Sequence, residues 1–107
     1  MEDKKKNYYC YILTLYPEYL DFNVWTEKEN ELIGIHFAYL KDLVKKKILL
    51  LAGRTVNEPM TEKDFGIAIL ETKTEEEARN YMENDPAVKR KLMHAELFEF
   101  SVALLRE

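Results

Sequence analysis

The sequence predicts an α+β domain, a β-α-β-β-α-β chain forming a four-stranded antiparallel sheet with both helices on one face. Three observations predict it. Four short runs are rich in aromatic and β-branched residues. Two other stretches carry apolar residues at helical spacing. Helix-start signals stand in front of those stretches. At 107 residues one domain is expected over 1–107, with residues 1–7 as a flexible tail.

Residues 8–15 (YYCYILTL) read as the first strand. Residues 16–25 (YPEYLDFNVW) form a connection with Pro17 and three aromatics, Tyr19, Phe22 and Trp25, placed to cover a pocket or brace a dimer. Thr26 caps the first helix, which runs to about Lys46. Residues 47–52 (KILLLA) form the second strand, ended by Gly53, and residues 54–63 a loop. Residues 64–71 (DFGIAILE) form the third strand. Thr74 with Glu77 makes a capping box for the next helix, whose apolar stripe is Ala78, Tyr81 and Met82. "NDPAVKRKLM" starts a second short helix, and residues 96–105 (ELFEFSVALL) form the last strand. This element order is ferredoxin-like.

The strands are apolar on both parities. Tyr8, Cys10 and Ile12 oppose Tyr9, Tyr11, Leu13 and Leu15, while Phe65, Ile67 and Ile69 oppose Ala68 and Leu70. In the last strand Phe98, Phe100, Val102 and Leu104 oppose Leu97, Ala103 and Leu105. Two helices cover only one face, and a bare apolar sheet face is rarely left in water. The simplest cover is a second copy of the same sheet about a two-fold axis, so a homodimer with facing sheets is expected.

Composition excludes several classes of function. Twenty acids and sixteen bases are intermixed for a net charge of -4, which argues against a nucleic-acid surface. The two "KKK" runs read as a solvated tail and a helix C-terminus. Cys10 is the one cysteine, so no intrachain disulfide forms; a small buried thiol and a reducing, cytoplasmic compartment are expected. No run reaches the roughly 20 apolar residues of a membrane span. The N-terminal "MEDKKKNYYCYILTLYP" lacks the small-residue cleavage site of a signal peptide. There is no nucleotide fingerprint or nucleophile elbow, and three glycines give no phosphate-cradling loop. His36 and His94 alone make no metal site, so neither metal nor cofactor is expected.

His36 is the residue of interest, in "ELIGIHFAYLKDLVKKK". On a wheel at about 100° per residue with His36 at zero, Leu43 and Leu32 fall at about -20° and -40°, and Leu40 at about +40°. Ile33 and Tyr39 fall at about +60° and -60°, while Glu31, Lys41 and Lys45 take the far side. His36 is therefore central to the inward stripe. Two readings follow: a core imidazole satisfied by a backbone carbonyl, or a neutral base on a pocket floor held by a carboxylate. Asp85, directly before Pro86, is the candidate carboxylate; it is also a natural N-cap, and the two roles are compatible. His94 reads as incidental, on a surface connection.

"GIHFAYLKDLVKKKILLLAGR" followed by "FGIAILETKTEEEARNYMENDPAVKRKLMHAELFEFSV" resembles the YciI-like (YCII-related) family over roughly residues 30–105. The ordered set of His36, Gly53, Ala78, Asp85-Pro86 and the closing strand carries the resemblance. It implies a dimeric α+β barrel with a histidine–aspartate dyad in a pocket, His36 being the family histidine and Asp85 the family aspartate. Relatives with known chemistry remove or shift groups on small ring compounds without metal or nucleotide. Two departures stand out. Many members place an arginine shortly before the histidine, where this chain reads "ENELIGIH"; many have proline after the glycine, where this chain has Arg54. Arg54 is then the candidate cation for an anionic substrate, and Tyr39, one turn from His36, a candidate pocket residue. The functional expectation is a cofactor-free lyase- or isomerase-type enzyme on a small cyclic or anionic metabolite. The alternative is a non-catalytic module for small-ligand binding or dimerisation.

Overall fold

The structure, a computed structural model, describes residues 7–106. The expected tail over 1–7 lies outside the described residues apart from Asn7, which opens the first strand. That strand, β1 (Asn7–Leu15), is followed by two 3-10 turns, Pro17–Tyr19 and Phe22–Val24. Then come α1 (Glu27–Lys45), β2 (Leu49–Arg54), β3 (Gly66–Thr72), α2 (Glu75–Glu83), the short α3 (Pro86–Lys89) and β4 (Met93–Phe100). The sheet order is β2-β3-β1-β4 with every neighbouring pair antiparallel, the ferredoxin-like arrangement predicted from the element order.

α1 starts where its cap puts it. The Thr26 hydroxyl accepts from Lys28 N–H at 3.2 Å, and Glu29 Oε1 accepts the Thr26 N–H at 2.7 Å. Two N–H groups that the helix leaves unpaired are thereby satisfied. Thr26→Ala is expected to cost about 1 kcal/mol, seen as a fall of about 4–8 °C in the thermal midpoint; an unmoved midpoint would show the cap to be idle. At α2 the Thr74 hydroxyl accepts from Glu77 N–H at 3.1 Å, whereas the Glu77 carboxylate takes the N–H of Lys73 rather than that of the cap.

Several strand boundaries differ from expectation; β3, for one, begins at Gly66 rather than at residue 64. β2 begins at Leu49, not residue 47, because Lys47 sits at φ 63 and terminates α1. Ile48 N–H reaches Leu43 O and Lys47 N–H reaches Val44 O, the paired bonds of a Schellman motif built without glycine. Lys91, at φ 64, ends α3 in the same way. β2 also runs through Gly53 to Arg54, since Gly53 and Arg54 pair with Ile67 and Gly66. β4 spans Met93–Phe100 rather than 96–105. Its partner β1 pairs from Leu15 opposite Met93 to Tyr8 opposite Phe100, and the ladder between them ends there.

The side-chain parity holds. Tyr9, Tyr11, Leu13, Ala68 and Leu70 form the buried core with Leu43 of α1 and Ala78 and Met82 of α2. On the opposite face Cys10 stands between Ile69 and Phe98, and Ile12 opposite Ile67. Here Leu51 is 56% and Phe98 45% exposed, so among the described residues nothing covers this face at its margins. Cys10 itself is buried, and burial pushes its thiol pKa up, as suits an inert packing residue. Among the described residues no helix is long and apolar enough to cross a membrane.

Candidate functional site

His36 lies on α1 and is only 8% exposed. Its Nδ1 is 2.6 Å from Asp85 Oδ1. Asp85 is fully buried, and its position follows from local chemistry: it is the N-cap of α3, with Pro86 at the first helical position. Its Oδ1 also accepts the Ala87 N–H at 3.0 Å. Its Oδ2 accepts the hydroxyl of Tyr11, itself fully buried on β1, at 2.9 Å. One carboxylate thus receives three donors from three elements. A buried carboxylate that accepts from Nδ1 requires the proton to sit there, which leaves Nε2 as the ring's basic nitrogen. Among the described residues Nε2 has no hydrogen-bond partner.

The free edge of His36 borders a cavity of about 660 Å³ between α1, β2 and the loop that joins β2 to β3. The wheel explains its walls. Ile33, Leu40 and Val44, at about +40° to +80° from His36, line the cavity with Phe37 at about +100°. Leu32 and Leu43, at about -40° and -20°, go into the core instead. His36 therefore stands on the seam between packed core and open cavity. Trp25 and Phe22 close one end, Trp25 being fixed by its indole N–H donating to Tyr19 O at 2.8 Å. The 16–25 connection thus walls the cavity from within the same chain.

Arg54, at the end of β2, does line the cavity, and no carboxylate pairs with it among the described residues. Lys41, placed by the wheel on the far side, also reaches the cavity rim. Tyr39 does not line it. At about -60° it falls on the core flank of the seam, where its hydroxyl donates to Tyr81 O at 2.7 Å. Burial and the Asp85 charge push the Tyr39 phenol up to about 12, so it stays protonated. His94 is an exposed residue of β4, its ring edge-on to Tyr16 at 6.2 Å.

Two contributors were not singled out from the sequence. Asp64, expected within a strand, instead staples the cavity loop, accepting from Thr55 Oγ1, Asn57 Nδ2 and Thr61 N–H at 2.7, 2.8 and 3.0 Å. Those bonds hold its carboxyl below the usual range. Tyr11 carried a legible signal: a tyrosine on the inward parity of a strand must find a partner for its hydroxyl. Among the described residues no three His, Cys, Asp or Glu side chains cluster to hold a metal ion.

A four-stranded antiparallel sheet backed by helices defines a ferredoxin-like α+β domain, here with a buried His–Asp pair at a cavity wall. The chain belongs to the family of the YCII-related domain, whose model matches residues 8–101. A search of curated proteins finds no match. Among solved structures the fold is similar to 5-chloro-2-hydroxyhydroquinone dehydrochlorinase (TftG) from Burkholderia phenoliruptrix AC1100, in complex with 2,5-dihydroxybenzoquinone. The TM-score is 0.64 at 21% sequence identity, covering 88% of this chain and 93% of that one.

Proposed function

We propose that the protein is a cofactor-free enzyme that moves a proton on a small cyclic, acidic substrate, with His36 as general base. The observation that carries this is the basic Nε2 of a buried imidazole, fixed through Nδ1 by Asp85, at the wall of a mainly apolar cavity. A core histidine needs no cavity beside it. In the reaction Nε2 takes a proton from a ring hydroxyl or ring carbon. The electron pair so released expels a leaving group as an anion or re-forms a double bond one position along. The imidazolium then returns its proton to product or water. Asp85 stabilises the imidazolium, while Arg54, with Lys41 at the rim, holds the negative charge of the substrate. Apolar walls of Phe37, Trp25 and Phe65 suit a flat ring. Membership of the YCII-related family supports the reading, and the similarly folded dehydrochlorinase acts on a ring compound of this kind.

We infer likewise that two copies pair through the uncovered sheet face, and that the protein works in the cytoplasm, where a lone buried thiol stays reduced. The test of function is a spectroscopic turnover screen over hydroxylated and halogenated quinols and ring lactones, with His36→Ala as control. A general base contributes about 10²–10⁴-fold, so His36→Ala is expected to lower kcat by that factor. Full activity in His36→Ala would remove the mechanism. Binding without turnover by the unaltered protein would instead establish a ligand-binding module.

A further inference from the structure

We infer that Tyr11 is a positioning residue of the His36–Asp85 pair, its hydroxyl fixing the orientation and basicity of the carboxylate that holds the imidazole. The inference rests on the reading of His36 as a base. The two oxygens of Asp85 are unequally held. Oδ1 receives both the His36 ring and the Ala87 N–H, whereas Oδ2 receives Tyr11 alone among the described residues. A carboxylate gripped at one oxygen can swivel about its Cβ–Cγ bond. Gripped at both, it keeps Oδ1 aimed at Nδ1. Tyr11 is suited to that grip. It sits on a central strand, opposite Ala68 on β3 and Leu97 on β4, and like Asp85 it is fully buried from bulk solvent. It does not line the cavity and so cannot touch substrate.

Burial first, and the Asp85 charge second, push the Tyr11 phenol far above its ordinary pKa, so it remains a donor wherever the protein is folded. Each donor on a carboxylate spreads its charge and weakens its hold on the remaining partners. Tyr11 thus sets how strongly Asp85 favours the imidazolium. The groups facing this pair are few. They are Tyr39 from α1, beside Asp85; Tyr81 from α2, whose carbonyl ties Tyr39; and the cavity-lining Lys41 of α1, Arg54 of β2 and Asp64 of the loop before β3. The phenols of Tyr11 and Tyr39 are both held neutral by burial and by the Asp85 charge.

The experiment follows the His36 titration by NMR in the ligand-free protein, independent of any turnover. Three side chains are compared at position 11: tyrosine, phenylalanine (Tyr11→Phe) and 3-fluorotyrosine, a stronger acid, incorporated at that site alone. The expected midpoints descend in the order phenylalanine, tyrosine, fluorotyrosine, with Tyr11→Phe raised by about half a pH unit. A merely structural tyrosine would give no such graded order, and fluorotyrosine keeps the fold where Tyr11→Phe does not. Asp85→Asn separates the two readings. If it lowers the His36 midpoint while the position-11 series is flat, the pair stands and the role of Tyr11 is overturned. If Asp85→Asn leaves the midpoint where it was, the pair fails as a base and the role of Tyr11 falls with it.

Discussion

Asp85→Ala is expected to destabilise the protein more than any other single truncation at the site, by about 3–6 kcal/mol. Three buried donors would lose their acceptor together: the Tyr11 hydroxyl, the His36 Nδ1–H and the Ala87 N–H. Each buried polar group left unpaired costs about 1–3 kcal/mol. The α3 cap is lost in the same step, since the Ala87 bond is that cap. Domains of this size are stable by about 5–15 kcal/mol, so the substitution removes a large share of the whole. At about 4–8 °C per kcal/mol, the thermal midpoint should fall by about 15 °C or more. Asp85→Asn keeps the volume and one acceptor, so it should cost about 1–3 kcal/mol while still removing the charge that favours the imidazolium. Equilibrium unfolding in urea measures both. An Asp85→Ala protein that melts within a degree or two of the parent would mean that the three bonds carry no net stability.

The fold was legible because its signals are redundant. The inward parity of β1 and β3, the Thr26 and Thr74 caps and the Asp85-Pro86 step each point to the same architecture. Less was legible where structure depends on partners distant in sequence. β4 stops at Phe100, opposite Tyr8 of β1, although the apolar alternation continues to Leu105. The start of β2 was obscured because a lysine, Lys47, and not a glycine takes the left-handed position that ends α1. At the site, His36 and Asp85 were readable singly: one central to an apolar stripe, the other a cap. The wheel placed Tyr39 and Ile33 symmetrically about His36 but could not say which flank the sheet would fill. The core took the side of Tyr39 and Leu43, and the cavity took the side of Ile33 and Leu40. Tyr11 joins Asp85 across 74 residues of sequence, a contact no local pattern encodes.

Phe98→Glu is expected to turn a dimer into a folded monomer, and the contrast between its two effects is what makes it informative. Phe98 lies on the sheet face away from the helices, opposite Cys10, and is 45% exposed in the single chain. A glutamate there keeps its charge in water as long as the chain is alone, so the cost to folding is small. If two sheets pack face to face, a two-fold axis places the carboxylate in the interface twice. Burying an unpaired charge costs several kcal/mol at each copy, and every 1.4 kcal/mol is a factor of ten in Kd. The dissociation constant should therefore rise by about 10³-fold or more. Sedimentation at micromolar concentration should show twice the chain mass for the unaltered protein and a single mass for Phe98→Glu, with identical far-ultraviolet circular dichroism. Lys41→Glu, on the cavity rim and away from this face, should leave the mass unchanged. A parent that sediments as one chain would exclude the paired sheets. It would also leave Leu51 and Phe98 as plain surface, and the cavity beside His36 as the work of one chain alone.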